Sequence, residues 1–435
     1  MLILKNSCYL ITTSITTSLL AILFFGFSKF SYAAGFATDL HSASALGTSY
    51  AGSVSGANDI SDSFFNPATI SSTKEKEVLL SMSYINFKID DDNTNATYNS
   101  NNSQVSGIRN DKQTVNAFIP ASYIASRIND KTTFGFSITS PFGLSTAYNS
   151  NWVGRYYAID SKIESVNFNP MISYEINQKL SLGFGLQAQY IKAILTNAVD
   201  VGGLFLSNPG SNDGFAKAKG DDWGFGFNGG LKYQFNDQIT FGIGYRSAIK
   251  NKITGDIKLS SNAIGNQTSS FNAKLTTPET LTAGFSYKLN DKIMLLHDTS
   301  WTRWSRVKTL NINATQNSNL SNSTNLNFQD SFRYSFGAHF QKNEKLKFKI
   351  GAAYEDGSVE DDSRNPRMPI SDKIWTSAGF GYKINDNVTI DTTYLHEFYN
   401  KNKVNLKASG SNTTNLEANY KNKVDVIAIS MKIDF

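Results

Sequence analysis

From about Val78 to the last residue the chain alternates between apolar and small or polar positions. Trp223, Phe225, Phe227, Leu231 and Tyr233 share one parity; Gly224, Gly226, Asn228, Gly230 and Lys232 share the other. Leu180, Leu182, Phe184 and Leu186 alternate in the same way with Ser181, Gly183, Gly185 and Gln187. A period of two predicts strands whose faces meet different surroundings. Between these stretches a phrase recurs: "SRINDKTTFGFS", "YEINQKLSLGFG", "YQFNDQITFGIG", "YKLNDKIMLLHD", "FQKNEKLKFKIG" and "YKINDNVTID". Its asparagines, Asn129, Asn177, Asn236, Asn290, Asn343 and Asn385, tolerate left-handed backbone and hydrogen-bond locally, so each centres a tight turn. Six such turns separate seven hairpins, predicting fourteen antiparallel strands with short turns at one end.

Composition sharpens this picture. Of 435 residues, 13% are aromatic, 31 are glycine and only 8 are proline, which suits a large all-β protein. A mean hydropathy of −0.30 is too polar for a bundle of membrane helices. The net charge of +5 is small for this length and the basic residues form no long run, so nucleic acid is not an expected partner. Lys5, the apolar run from Leu19 to Phe25 and the small residues before a cut after Ala33 make 1–33 a signal peptide. The one cysteine, Cys8, lies inside it, so no disulfide or thiolate chemistry is expected of the mature chain. Small interior residues, tyrosines beside the turns and alternate apolar positions from Ile427 to Phe435 favour a barrel in an outer membrane over a soluble sandwich. Polar stretches at 90–111, 197–222, 311–327 and 400–422 read as long outer loops.

Residues 34–77 break the alternation. They are rich in Ala, Ser and Gly, with helix starts near Asp39 or Ser42 and near Asn58, and with a buried-looking Phe64-Phe65-Asn66-Pro67-Ala68. "AGF" at 34–36, "FFNPA", "ITSPFGLST", "WVGRYYAIDS", "GDDWGFGFNGG", "WTRWSRV" and "RNPRMPISDKIWTSAG", in this order, resemble the long-chain fatty acid transporter (FadL) family of outer-membrane proteins, which includes aromatic-hydrocarbon channels. The resemblance implies an all-β fold, a fourteen-stranded transmembrane barrel over 78–435, plugged by a small helical hatch over 34–77. It implies passive uptake of hydrophobic small molecules, without enzyme activity, cofactor or metal. It marks Asn66, Pro67 and Ala68 as the hatch motif, Phe36 as a residue reaching the ligand pocket, and Ser140, Pro141, Phe142 and Gly143 as a kink in the third strand. A terminal aromatic, Phe435, resembles the signal read by the barrel assembly machinery. Expected partners are the hydrophobic ligand, outer-membrane lipid and lipopolysaccharide, with the chain a monomer.

The kink also follows from the residues. Pro141 has no N–H for the ladder, and Gly143 permits unusual dihedrals, so a sideways opening is expected where a proline alone breaks a mid-wall ladder. Where family members that carry fatty acids place an arginine and a lysine, this chain has Asn197 and a position near Thr324. Lys192 and Arg246 are the candidate substitutes, both assigned an inward strand phase. The acid runs 90–92 and 360–362 read as solvated charge, and the four histidines show no metal spacing. Gly224 to Gly229 matches a dinucleotide fingerprint only in spacing, since it opens no helix. The competing function is a surface barrel acting as adhesin or antigen.

Overall fold

Each predicted turn is closed by its own asparagine. The Oδ1 of Asn177 accepts the N–H groups of Lys179 and Leu180 at 2.9 and 3.0 Å, and Asn236, Asn290, Asn343 and Asn385 do the same two and three residues on. Asn129 accepts from Lys131. The computed structural model describes residues 36–410 and 412–435; the signal-peptide segment lies outside them.

Twenty strand segments line up as fourteen wall strands. They are β1 Lys76–Tyr98; β2 Lys112–Asn129; β3 Thr132–Thr139 continued by β4 Gly143–Ala147; β5 Asp160–Glu175; β6 Leu180–Asp200; β7 Asp213–Gln234; β8 Ile239–Arg246 continued by β9 Ile249–Ser260; and, in reverse order, β10 Gln267–Thr277 leading into β11 Thr280–Lys288. Then come β12 Ile293–Thr302 with β13 Thr309–Ala314; β14 Asn322–Asn325 with β15 Ser331–Gln341; β16 Leu346–Glu355; β17 Lys373–Lys383; β18 Val388–Tyr399 with β19 Asn402–Leu406; and β20 Thr414–Asp434. Neighbours pair antiparallel, and β20 pairs β1 from Glu77↔Asp434 to Tyr98↔Thr414, which closes the barrel. Phe435 donates its N–H to the Lys76 carbonyl at the turn end. No helix among the described residues is long and apolar enough to cross a membrane; strands do the crossing. Their outward positions carry the greasy belt, with Phe225 at 72% and Phe118 at 70% exposure, while Gly224, Gly226 and Asn228 face in.

Two expectations are corrected. Each polar stretch is in part strand: β1 runs to Tyr98, β6 to Asp200, β7 from Asp213, and β20 from Thr414. Asn, Asp, Lys and Glu fill most outward positions there, while inward Ile89, Leu416 and Tyr420 pack with Trp152 and Tyr148 in an apolar cluster. Pro141 is also not alone in the wall, because Pro120 and Pro170 lie within β2 and β5. At Pro170 the Asn169 side-chain amide donates to the Leu186 carbonyl (2.7 Å), supplying a bond the ladder lacks there.

Residues 36–73 fill the lumen toward the turn end. Ser42 caps the helix Ala43–Leu46, Asp59 caps the 3-10 helix Ile60–Phe64, and Asn66 caps the 3-10 helix Pro67–Ser72, with Pro67 at the position where a missing N–H costs nothing. Wall strands around the circumference hold this plug: Ala43 N–H donates to Ser430 Oγ (2.8 Å), Thr393 Oγ1 to the Ala43 carbonyl (2.6 Å), and Val54 N–H to Asp298 Oδ2 (3.2 Å).

Candidate functional site

The plug is seated by the predicted hatch motif. Asn66 Nδ2 donates to the Val54 carbonyl inside the plug (2.7 Å) and to the Leu231 carbonyl of the wall (2.8 Å), and its Oδ1 accepts Ala68 N–H. This contact needs a wall without side chains. A Cβ on Gly230 would lie 2.3 Å from Asn66 Oδ1, and one on Gly183 would lie 2.2 Å from the Ala68 nitrogen.

At the third wall strand β3 stops at Thr139 and β4 starts at Gly143. β2 pairs with β3 only from Ser122 onward; from Lys112 to Ala121 its ladder partner is β1 alone. A side-chain bond, Ala147 N–H to Gln113 Oε1 (2.7 Å), bounds the gap at the outer end. The kink's polar groups are met from inside and from the next strand. Thr38 N–H donates to the Pro141 carbonyl and Gly143 N–H to the Phe36 carbonyl, both at 2.9 Å, and Thr38 Oγ1 donates to the Ser140 carbonyl. Ser165 Oγ accepts Phe142 N–H and donates to the Phe142 carbonyl. The leading end of the plug thus stands where a wall strand would otherwise pair.

A cavity of about 630 Å³ runs through this gap. Its walls include lumen residues Trp375, Tyr399 and Val424, kink residues Ser140, Phe142 and Gly143, and outward residues Phe118, Tyr190 and Lys192. A second cavity of about 330 Å³ lies toward the outer end, lined by Ile253, Ile257, Leu259, Phe271, Leu320 and Phe328 among other apolar side chains. Phe36, Leu144, Ile163 and Met368 border both cavities and form the partition between them. Phe36 is 4% exposed, with its ring 5.1 Å from Trp304 and 5.6 Å from Phe142. The expectation that Phe36 reaches a pocket therefore meets a residue between two.

A third cavity, of about 330 Å³ and mostly polar, lies among Tyr156, Tyr157, Asp200, Asn325, Lys407 and Thr413. Arg367, Asn365, Asn197 and Thr324 border both it and the apolar cavity. Arg367 donates to the Asp160 carbonyl (3.2 Å), Ser161 Oγ (2.9 Å) and Asn197 Oδ1 (3.3 Å), all of them neutral acceptors. Burial lowers its guanidinium to about 10, so it remains charged at neutral pH. The place where an arginine was sought at 197 thus receives one from the loop after β16. Arg367 stands inside "RNPRMPISDKIW", where no local pattern marks it as a site residue.

The proposed substitutes sit elsewhere. Lys192 has the opposite phase to the one assigned: buried Ile191 faces in, and Lys192 lies on the outer wall, 3.9 Å from Glu164. Arg246 does face in, but it is bound to the Phe64 carbonyl (3.0 Å), Asn169 and Gln187, with the Phe64 ring 3.9 Å away. It holds the plug. Nearby, Arg333 pairs with Asp39, and Lys373 bridges Glu355 (3.4 Å) and Glu397 (3.3 Å).

Comparison with known proteins agrees with this architecture. A long-chain fatty acid transport protein of Escherichia coli O6:H1 is 28% identical over 419 residues, covering 88% of this chain and 92% of its own length. The 47 kDa outer membrane protein of Pasteurella multocida is 28% identical over 406 residues, with the same coverage. A FadL homologue from Pseudomonas aeruginosa superposes with a TM-score of 0.85 at 21% identity, over 92% of this chain and 100% of its own. The toluene transporter TodX of Pseudomonas putida gives 0.70 at 17%, over 92% and 99%. The model of the outer membrane protein transport protein family (OMPP1/FadL/TodX) matches residues 25–435, and the chain belongs to that family: it is an outer-membrane barrel for hydrophobic substrates.

Proposed function

We propose that this barrel takes up long-chain carboxylates passively and releases them sideways into the bilayer. The observation that carries the reading is Arg367, a charged guanidinium whose hydrogen-bond acceptors among the described residues are all neutral, the nearby Asp160 carboxylate forming no ion pair with it, where a polar cavity meets an apolar one. That boundary suits an amphiphile with one anionic head and a long tail: the head meets Arg367, and the tail fills the cavity of Ile253, Ile257 and Phe271. The fatty acid named for the Escherichia coli relative has this chemistry; the toluene named for TodX does not require the cation. The tail then passes the Phe36 partition into the cavity at the Ser140–Gly143 kink. Exit through the wall spares an apolar chain contact with water, at about 0.8 kcal/mol per methylene. Retreat of residues 36–38 from the kink opens this step. Nothing resembling a nucleotide site is needed, because entry into the bilayer is downhill.

The test is Arg367→Met in the purified protein, with oleate and a neutral long alkane as probes. Oleate binding should fall by about tenfold or more, the value of a charge-assisted hydrogen bond, while alkane binding is unchanged. Equal losses for both probes, or none for oleate, would overturn the reading.

A further inference from the structure

We propose that the outer wall over β7, β9 and β10 is a docking surface for phosphorylated glycolipid of the outer leaflet. Lys217, Lys219, Lys250, Lys252, Lys258 and Lys274 all point outward and are exposed. None of them has an ion-pair partner among the described residues. The ladder sets Lys217 directly opposite Lys258, and Lys252 directly opposite Lys274. Like charges facing each other across an antiparallel pair stand about 4.5–5.5 Å apart at Cβ and destabilise the sheet. The nearby aspartates Asp221, Asp222 and Asp256 close no ion pair with them: Asp222 accepts the Lys252 backbone N–H (2.6 Å), and Asp256, opposite Lys219, takes a long bond from Ser270.

Position selects the anion. β7 descends from the loop at 201–212 through Lys217 and Lys219 to Trp223 and Phe225, where the exposed apolar belt begins. Lys217, Lys219 and Lys258 therefore stand just outside the belt, on the long-loop side, and Lys252 and Lys274 level with its upper edge, at the height of lipid headgroups. A glycolipid whose acyl chains lie on the belt would present its phosphates to the opposed lysines. Each phosphate accepts from two ammonium groups at once and converts a repulsive pair into a bridged one. Soluble anions match the charge but not the neighbouring belt.

The experiment uses full-length purified protein in a non-ionic detergent and native mass spectrometry with bisphosphorylated lipid A, its dephosphorylated form, and inorganic phosphate. The phosphorylated lipid should bind about tenfold or more tightly than the dephosphorylated one, and equimolar inorganic phosphate should not displace it. In the variant Lys217→Gln/Lys252→Gln/Lys258→Gln/Lys274→Gln this preference should vanish. Without lipid, the variant should melt no lower than the wild type, because two repulsive pairs are gone. Equal binding of both lipids, full displacement by phosphate, or an undiminished preference in the variant would each overturn the proposal. If the variant does not insert, the three wild-type measurements decide it.

Discussion

Toward the turn end, below the cavity at the kink, the lumen is filled, and wall and plug meet backbone to backbone. A Cβ on Gly242 would lie 1.8 Å from the Val54 oxygen, one on Gly244 1.9 Å from the Phe65 oxygen, and one on Gly351 2.2 Å from the Thr48 carbonyl carbon. Hydrogen bonds and ion pairs, such as Lys349 with Asp391 and Ser44, fix the fit. On the outer side the same strands carry Ile257, Leu259, Phe271 and Ala218, and space remains between them. Directional polar bonds hold one segment in one place; apolar walls hold many chains without fixing any. A hydrophobic ligand needs the second environment, and a sealed membrane needs the first. The kink at Ser140–Gly143 is where the two meet, because the plug's own leading residues complete the wall there.

The largest effect should come from separating the open region from the bilayer. Replacing Pro141-Phe142-Gly143 by Thr-Phe-Thr restores a ladder donor and removes the flexible residue; the new Cβ at 143 meets Thr38 Cγ2 at 3.2 Å. Fatty acid uptake should drop to that of cells lacking the protein, with ligand binding and heat-modifiable gel migration preserved. Unchanged uptake with the gap shown closed would send the ligand through the plug instead, and the comparison above would lose its meeting point.

A smaller effect should follow from disturbing the sealed region alone. Gly242→Ala must push the Val54 backbone away, so single-channel conductance in planar bilayers should rise above wild type while the barrel still inserts. Gly229→Ala is the control, since its Cβ would meet nothing closer than the Gly183 oxygen at 3.6 Å. Equal conductance of the two variants would mean that the glycine contacts do not seal the lumen.

The sealed and open regions were unequally legible in the sequence. The turns could be read because each asparagine bonds within three residues of itself, and Ser42 could be read as a cap for the same reason. Asn58 missed by one: the cap is Asp59. The outer strand extensions read as loops because their outward residues are mostly Asn, Asp, Lys and Glu, and only pairing across the barrel reveals them as ladder. Lys192 failed on a count of one, which in a strand reverses the face. Arg367 reaches Asn197 from a loop 170 residues onward, a proximity no local pattern encodes.

The smallest effect concerns the loop after β16, outside the membrane. Burial pushes the Asp356 carboxyl up to about 6, with Glu355 and Asp372 adding repulsion, while the backbone N–H groups of Asp356 and Phe332 oppose the rise. A carboxyl whose folded pKa lies above its unfolded 3.8 binds protons more readily in the folded state. Its stabilising contribution is full below that value and lost as pH climbs through about 6. Raising the pH from 4 to 7 should therefore loosen this loop and leave the plug untouched. Amide exchange at Phe332 and Asp356, corrected for intrinsic rates, should quicken over that range, and that at Asn66 should not. Asp356→Asn should flatten most of the dependence. Exchange that quickens equally at Asn66 would mean that loop and plug open as one unit, and the outer and inner halves of the lumen would no longer be separate regions.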